Sequence, residues 1–135
     1  MTVRSRVLLG CAALMAATAH AAPPRAPAGT WANPAKSVHV AFKPCGRGIC
    51  GTVVWASPQA EADAQRGGGG RLTGTMLFRD FQPVDATHWK GTVFVPDIGA
   101  QLTGTIEQIN SRTLKGEGCV FAGFGCKTQV WTRIK

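Results

Sequence analysis

The chain has 135 residues, with 15 Lys and Arg against 7 Asp and Glu, a formal net charge of +8; 44% of it is hydrophobic and only 16% charged. That length implies one domain. The composition excludes a disordered polyelectrolyte, which combines low hydrophobicity with high charge, and a coiled coil, which is dominated by Ala, Glu, Lys and Leu.

The chain opens with Arg4 and Arg6, an apolar run over residues 7–17, and Ala19-His20-Ala21. A positive start, a short apolar core and a small-residue cleavage site make a secretory signal peptide. The run is shorter than the ~20 residues of a membrane-spanning helix, and no other segment is long and apolar enough to cross. A buried N-terminal helix is a weaker reading, because Pro23, Pro24 and Pro27 follow at once and end helices. A lipoprotein cut at Cys11 would leave only three apolar residues between charge and cleavage. The expected organisation is a leader over 1–21, a Pro/Ala-rich linker over 22–28 and one domain over 29–135, periplasmic or secreted after cleavage near Ala21.

Beyond the linker the pattern is alternation of period two, the signature of half-buried strands. A short strand is predicted over 30–33. Val38, Val40 and Phe42 then alternate with Ser37, His39 and Ala41, and Gly51, Val53 and Trp55 with Thr52 and Val54. Ser57 suits a helix cap, Pro58 its first turn and residues 59–66 are good formers, so a single short helix is predicted there, ended by Gly67–Gly70. No Gly-Lys-Ser/Thr follows those glycines, so they form a connector and not a phosphate loop. Leu72, Gly74, Met76 and Phe78 predict the next strand. Trp89, Gly91, Val93 and Val95 predict another, and Leu102, Gly104 and Ile106 a third. Runs over 113–121 and 127–134 bring the total to about eight strands.

After export the cysteines are Cys45, Cys50, Cys119 and Cys126. An exported chain with four cysteines suggests two disulfides. Both short loops can bring Cα atoms within the ~7 Å a bridge requires, which favours Cys45–Cys50 and Cys119–Cys126; crossed pairing between the loops stays open. A zinc site is disfavoured, because six residues separate the second pair and oxidation competes for the thiols.

Gly-Thr followed by an apolar residue recurs at Gly51, Gly74, Gly91 and Gly104. Strand glycines mark bends, bulges or close backbone approach. Several of them fit a sheet that curls into a small, closed or nearly closed antiparallel β-barrel.

The ordered set Gly29-Thr30-Trp31, Cys45, Ile49-Cys50-Gly51-Thr52, Trp89-Lys90-Gly91, Pro96-Asp97-Ile98-Gly99, Gly118-Cys119 and Cys126 through Arg133 resembles a family of small exported bacterial proteins, the domain of unknown function 2147. The resemblance spans Gly29 to Arg133. It implies a lipocalin-like barrel and export to the periplasm, and no established activity. The chain departs from the family over 57–70, which is Ala/Gln/Gly-rich, and at 100–102, where an aromatic residue is usual; those groups are not carried over. Gly29-x-Trp31 and Arg133 are also similar to the lipocalin scheme, in which a first-strand Trp plugs one barrel end beneath a last-strand Arg, a cation–π contact.

No catalytic constellation is legible. Ser37, Ser57 and Ser111 lack the strained setting of a nucleophile. His39 and His88 sit alone on polar faces, and the acids are scattered. An enzyme is therefore not expected, nor a cofactor or metal. The basic residues are spread singly, against a nucleic-acid groove, though positive charge can attract an anionic envelope component. The leading function is binding of a small, mainly apolar or amphiphilic molecule in the barrel interior, by Trp31, Trp55, Trp89 and Trp131 with Arg133 as a cationic end. The domain is too short for a large cavity. The alternative is a structural or interaction protein of the envelope with a side-chain-filled barrel.

Overall fold

A computed structural model describes residues 14–18, 27–121 and 124–135. Most of the expected leader and linker lies outside the described residues; residues 14–18 are exposed and form neither helix nor strand. Eight strands follow one another: β1 (Gly29–Ala32), β2 (Val38–Cys45), β3 (Gly48–Ala56), β4 (Met76–Pro83), β5 (His88–Val95), β6 (Ala100–Asn110), β7 (Thr113–Phe121) and β8 (Phe124–Arg133). Each pairs antiparallel with the next. β8 returns to β1 with Trp31 opposite Arg133 and Ala32 opposite Thr132, so the sheet closes into a barrel. The closing ladder is short, these two positions at one end of the barrel.

In such a meander, successive connections alternate between the two ends. One end carries the β2–β3, β4–β5 and β6–β7 turns, the start of β1 and the end of β8. The other carries residues 33–37, the helix α1 (Pro58–Arg66) with its return to β4, a 3-10 turn at Pro96–Ile98 and the β7–β8 hairpin. The helix starts where the sequence predicts. The Ser57 hydroxyl accepts the Ala60 N–H at 3.1 Å, and Pro58 opens the first turn. Both favoured disulfides form: Cys45–Cys50 across the β2–β3 turn, and Cys119–Cys126 between directly opposed residues of β7 and β8.

Two expectations need correction, and one irregularity was not foreseen. The strand predicted over 72–78 begins only at Met76. Leu72–Thr75 is a turn, with the Thr75 N–H donating to the Leu72 carbonyl at 2.9 Å and Gly74 at φ +90°. Asp80, at φ +48°, breaks the β4 ladder between Arg79 and Gln82, so Phe78 and Phe81 are both buried although three residues apart. Trp55 was expected inside on the parity of Val53. The register slips by one residue there, pairing His39 with Trp55 but Val40 with Val53. This bulge reverses the face. Trp55 is 44% exposed and stacks outside on His39, ring centroids 4.5 Å apart.

The core fills the end holding the β2–β3, β4–β5 and β6–β7 turns. Trp31, Trp89, Phe81, Ile106, Leu114 and Val40 are fully buried. The Arg133 guanidinium lies 4.7 Å from the Trp31 ring centre, and its Nε donates to the Ser111 carbonyl at 2.6 Å, covering the plug. The strand glycines of the Gly-Thr pattern sit under this core. A Cβ on Gly51 would lie 2.8 Å from the Phe42 and Phe78 rings, and one on Gly104 would strike Val93 and press on Phe81. Neighbouring side chains occupy the space those glycines leave.

Candidate functional site: a half-open barrel interior

The opposite half of the barrel is not filled. It holds a cavity of about 440 Å³. One wall is apolar, built by Leu77 and Phe78 of β4, Val93 and Val95 of β5 and Leu102 of β6. Its floor is aromatic: Trp131 is buried and meets Phe78 edge-on at 5.7 Å. The remaining wall is β7 and β8. Gly116 pairs with Gln129 and Gly118 with Lys127, and all four line the cavity.

These two glycines differ in kind from Gly51 and Gly104. A Cβ on Gly116 would find nothing nearer than 3.9 Å, and one on Gly118 only Leu102 at 3.5 Å. No neighbour has moved into their place. Two bare positions on one face of β7 keep the volume open.

The cavity's rim is held by α1. Leu72, buried and lining the cavity, is fixed through Glu61 of the helix. The Glu61 carboxylate accepts the Leu72 N–H at 2.8 Å, the Thr73 N–H at 2.8 Å and the Thr73 hydroxyl at 2.6 Å. These donors, the Thr73 hydroxyl foremost, hold its pKa below the ordinary value, and the Arg71 charge adds to them. The helix also rests on the rim, because Gly67 and Gly69 lie against the backbone of Asp97 and Pro96.

Of the five residues expected to bind, the structure brings only Trp131 to the cavity. Trp31, Trp89 and Arg133 belong to the filled end, and Trp55 is outside. The cationic group on the cavity wall is Lys127, not Arg133. Lys127 and Gln129 were missed, as were Gly116 and Gly118. The signal was present: Lys127, Gln129, Trp131 and Arg133 fall on one face of β8 by alternation, as Leu114, Gly116 and Gly118 do on β7.

Three polar groups weighed for chemistry elsewhere, at His88, Ser37 and Glu117, have structural partners. His88 Nδ1 lies 2.8 Å from Asp85 and 3.0 Å from the Thr87 hydroxyl, in the β4–β5 turn at the filled end. The Thr87 N–H, followed by His88, lowers the Asp85 pKa. The Ser37 hydroxyl accepts from the Asn33 amide at 3.0 Å. Glu117 stands beside Cys119 and Cys126. Those sulfurs are joined to each other, and a metal needs thiolates.

One family's sequence pattern matches residues 29–133, that of an "Uncharacterized protein conserved in bacteria (DUF2147)". The chain belongs to this family. No curated protein matches this DUF2147 chain. Among solved structures, protein HP1028 from the human pathogen Helicobacter pylori, described as belonging to the lipocalin family, has a TM-score of 0.63 at 16% identity. The match covers 82% of this chain and 84% of that one. At that identity the likeness shows a shared fold, and the eight-stranded closed barrel of this DUF2147 protein is lipocalin-like. Its two disulfides fit an oxidising compartment, and among the described residues no helix is long and apolar enough to cross a membrane.

Proposed function

We propose that this protein is a non-enzymatic, exported binding protein that takes one small, mainly apolar or amphiphilic molecule into the unfilled half of its barrel. The observation that carries this reading is the cavity left bare at Gly116 and Gly118. Interiors normally pack without voids much larger than a water, whereas small-molecule sites occupy roughly 300–1,000 Å³ with apolar walls and a few polar groups. A volume of about 440 Å³ lies in that range. Trp131 at its floor supplies an optical reporter.

Native mass spectrometry of protein purified from its own periplasm tests the reading. The expected result is a retained small molecule on the wild type and none on Gly118→Val, whose side chain would occupy the cavity. Two joint outcomes would overturn it: an empty wild type, and no change in tryptophan emission or melting temperature when decanol or decanoate is added at saturation. A ligand that binds only the native state raises its apparent stability.

A second reading draws on the outer wall, where Thr30, His39, Val54, Trp55, Ile134 and Lys135 line a shallow depression. An exposed Trp beside a Lys suits docking on an anionic envelope component. Loss of binding to anionic vesicles in Trp55→Ala, with ligand binding in the cavity unchanged, would favour it.

A further inference from the structure

We infer that Lys127 and Gln129 form a head-group subsite, so that the cavity selects a single-chain anionic amphiphile. This rests on the cavity reading above and specifies its occupant.

The argument begins with register. Each of these long polar side chains stands opposite a glycine, Lys127 across from Gly118 and Gln129 across from Gly116. No β7 side chain covers either one. Among the described residues, Lys127 has no carboxylate within salt-bridge distance, and neither side chain makes a hydrogen bond. Among the described residues, a cation and an amide therefore stand unpartnered and solvent-exposed along the cavity's open side.

The two acids near the cavity do not neutralise them. By strand alternation Glu117 faces away from Gly116 and Gly118. Its carboxylate accepts the Thr128 hydroxyl at 3.2 Å, on the opposite face of the sheet from Lys127. Asp97 is exposed at the rim, in the Pro96–Ile98 turn, with no ion pair to Lys127.

Depth sets the shape of the occupant. Lys127 lies toward the mouth and Trp131 at the floor. Four strand residues separate them, about 13 Å along the strand and about 10 Å along the axis of a barrel whose strands tilt by ~40°. Leu77, Phe78, Val93 and Leu102 line the facing wall over this depth. The charge of a bound amphiphile meets Lys127, its neighbouring oxygen meets the Gln129 amide, and its chain runs down to Phe78 and Trp131. A decyl chain suits that depth. The shared head-group chemistry is an oxyanion, carboxylate or phosphate.

Four ligands with one tail test this at pH 7.5, followed by tryptophan emission and calorimetry: decanoate, decyl phosphate, decanol and decyltrimethylammonium. At least one anion should bind about tenfold tighter than decanol, the effect of one charge-assisted contact, and the cation should bind weakest. The stronger of the two anions identifies the head group as carboxylate or phosphate. Lys127→Met should erase the preference for anions and leave decanol binding in place. Equal binding of decanol and both anions would overturn the subsite, as would a preference that survives in Lys127→Met. Failure of all four ligands would overturn the cavity reading itself.

Discussion

The two ends of the barrel contain the same kinds of residue and use them oppositely. At the filled end, strand glycines make room for rings: Phe42 and Phe78 close on Gly51, and Phe81 closes on Gly104. On β7, directly across the ladder from Gly104 and Ile106, Gly118 and Gly116 leave room that, among the described residues, only Leu102 borders as closely as 3.5 Å. The cations differ in the same way. Arg133 is laid on the Trp31 ring and tied to the Ser111 carbonyl, whereas Lys127 lines the cavity wall without a partner among the described residues. A missing side chain thus admits a neighbour's ring at Gly51 and Gly104 and leaves open volume at Gly116 and Gly118. What decides between them is whether a large neighbour on an adjacent strand points at the gap.

Truncating a ring at each end should show the largest difference. Trp31→Ala removes a fully buried ring and should cost about 3–5 kcal/mol in urea unfolding. Trp131 already borders empty volume, so Trp131→Ala should cost at least ~1 kcal/mol less, because there is less packing to lose. Equal losses would break the distinction between the ends. Arg133→Ala, which gives up the ring contact and one hydrogen bond, should fall near 1–2 kcal/mol.

Adding a methyl group reads the same contrast in the other direction. Gly104→Ala forces a Cβ into Val93 and Phe81 and should destabilise by about 1–3 kcal/mol in thermal melts. Gly118→Ala meets only ordinary contact distance and should stay within ~0.5 kcal/mol of wild type or rise, since alanine also restricts the unfolded chain. A loss at Gly118 matching that at Gly104 would mean the cavity is packed in solution.

Acid should separate the ends by the smallest margin. Glu61 has a pKa lowered by folding, so it stabilises the fold above its unfolded value of about 4.5 and loses that contribution as pH falls through the depressed folded value. Asp85 behaves likewise at the filled end. Between neutral pH and strong acid, Glu61→Gln should flatten the fall in melting temperature below about pH 4.5 and, through Leu72, weaken ligand retention at the rim. Asp85→Asn should flatten the melting curve and leave retention unchanged. Loss of retention in both variants would show that the rim is not specifically held by Glu61.

The sequence by itself determined the class of fold and its local punctuation. Alternation of period two, repeated between turn residues, defined most of the strands. Ser57-Pro58 marked the helix start, the short cysteine loops favoured the observed pairing, and Trp31 with Arg133 marked the closing pair. Each of these signals lies within a few residues of chain, or at its matched ends. The tertiary structure alone decided which faces are inside and where the interior is empty. One-residue slips, among them those at Val54 and near Asp80, reverse the parity of their strands, and nothing in the alternation announces them. They put Trp55 outside and Phe81 at the centre of the core. The cavity depends on neighbouring side chains, Leu102 of β6 included, coming no closer than ordinary contact to two glycines of β7. Steric reach between strands distant in sequence is a property of the closed barrel, and no single strand's pattern contains it.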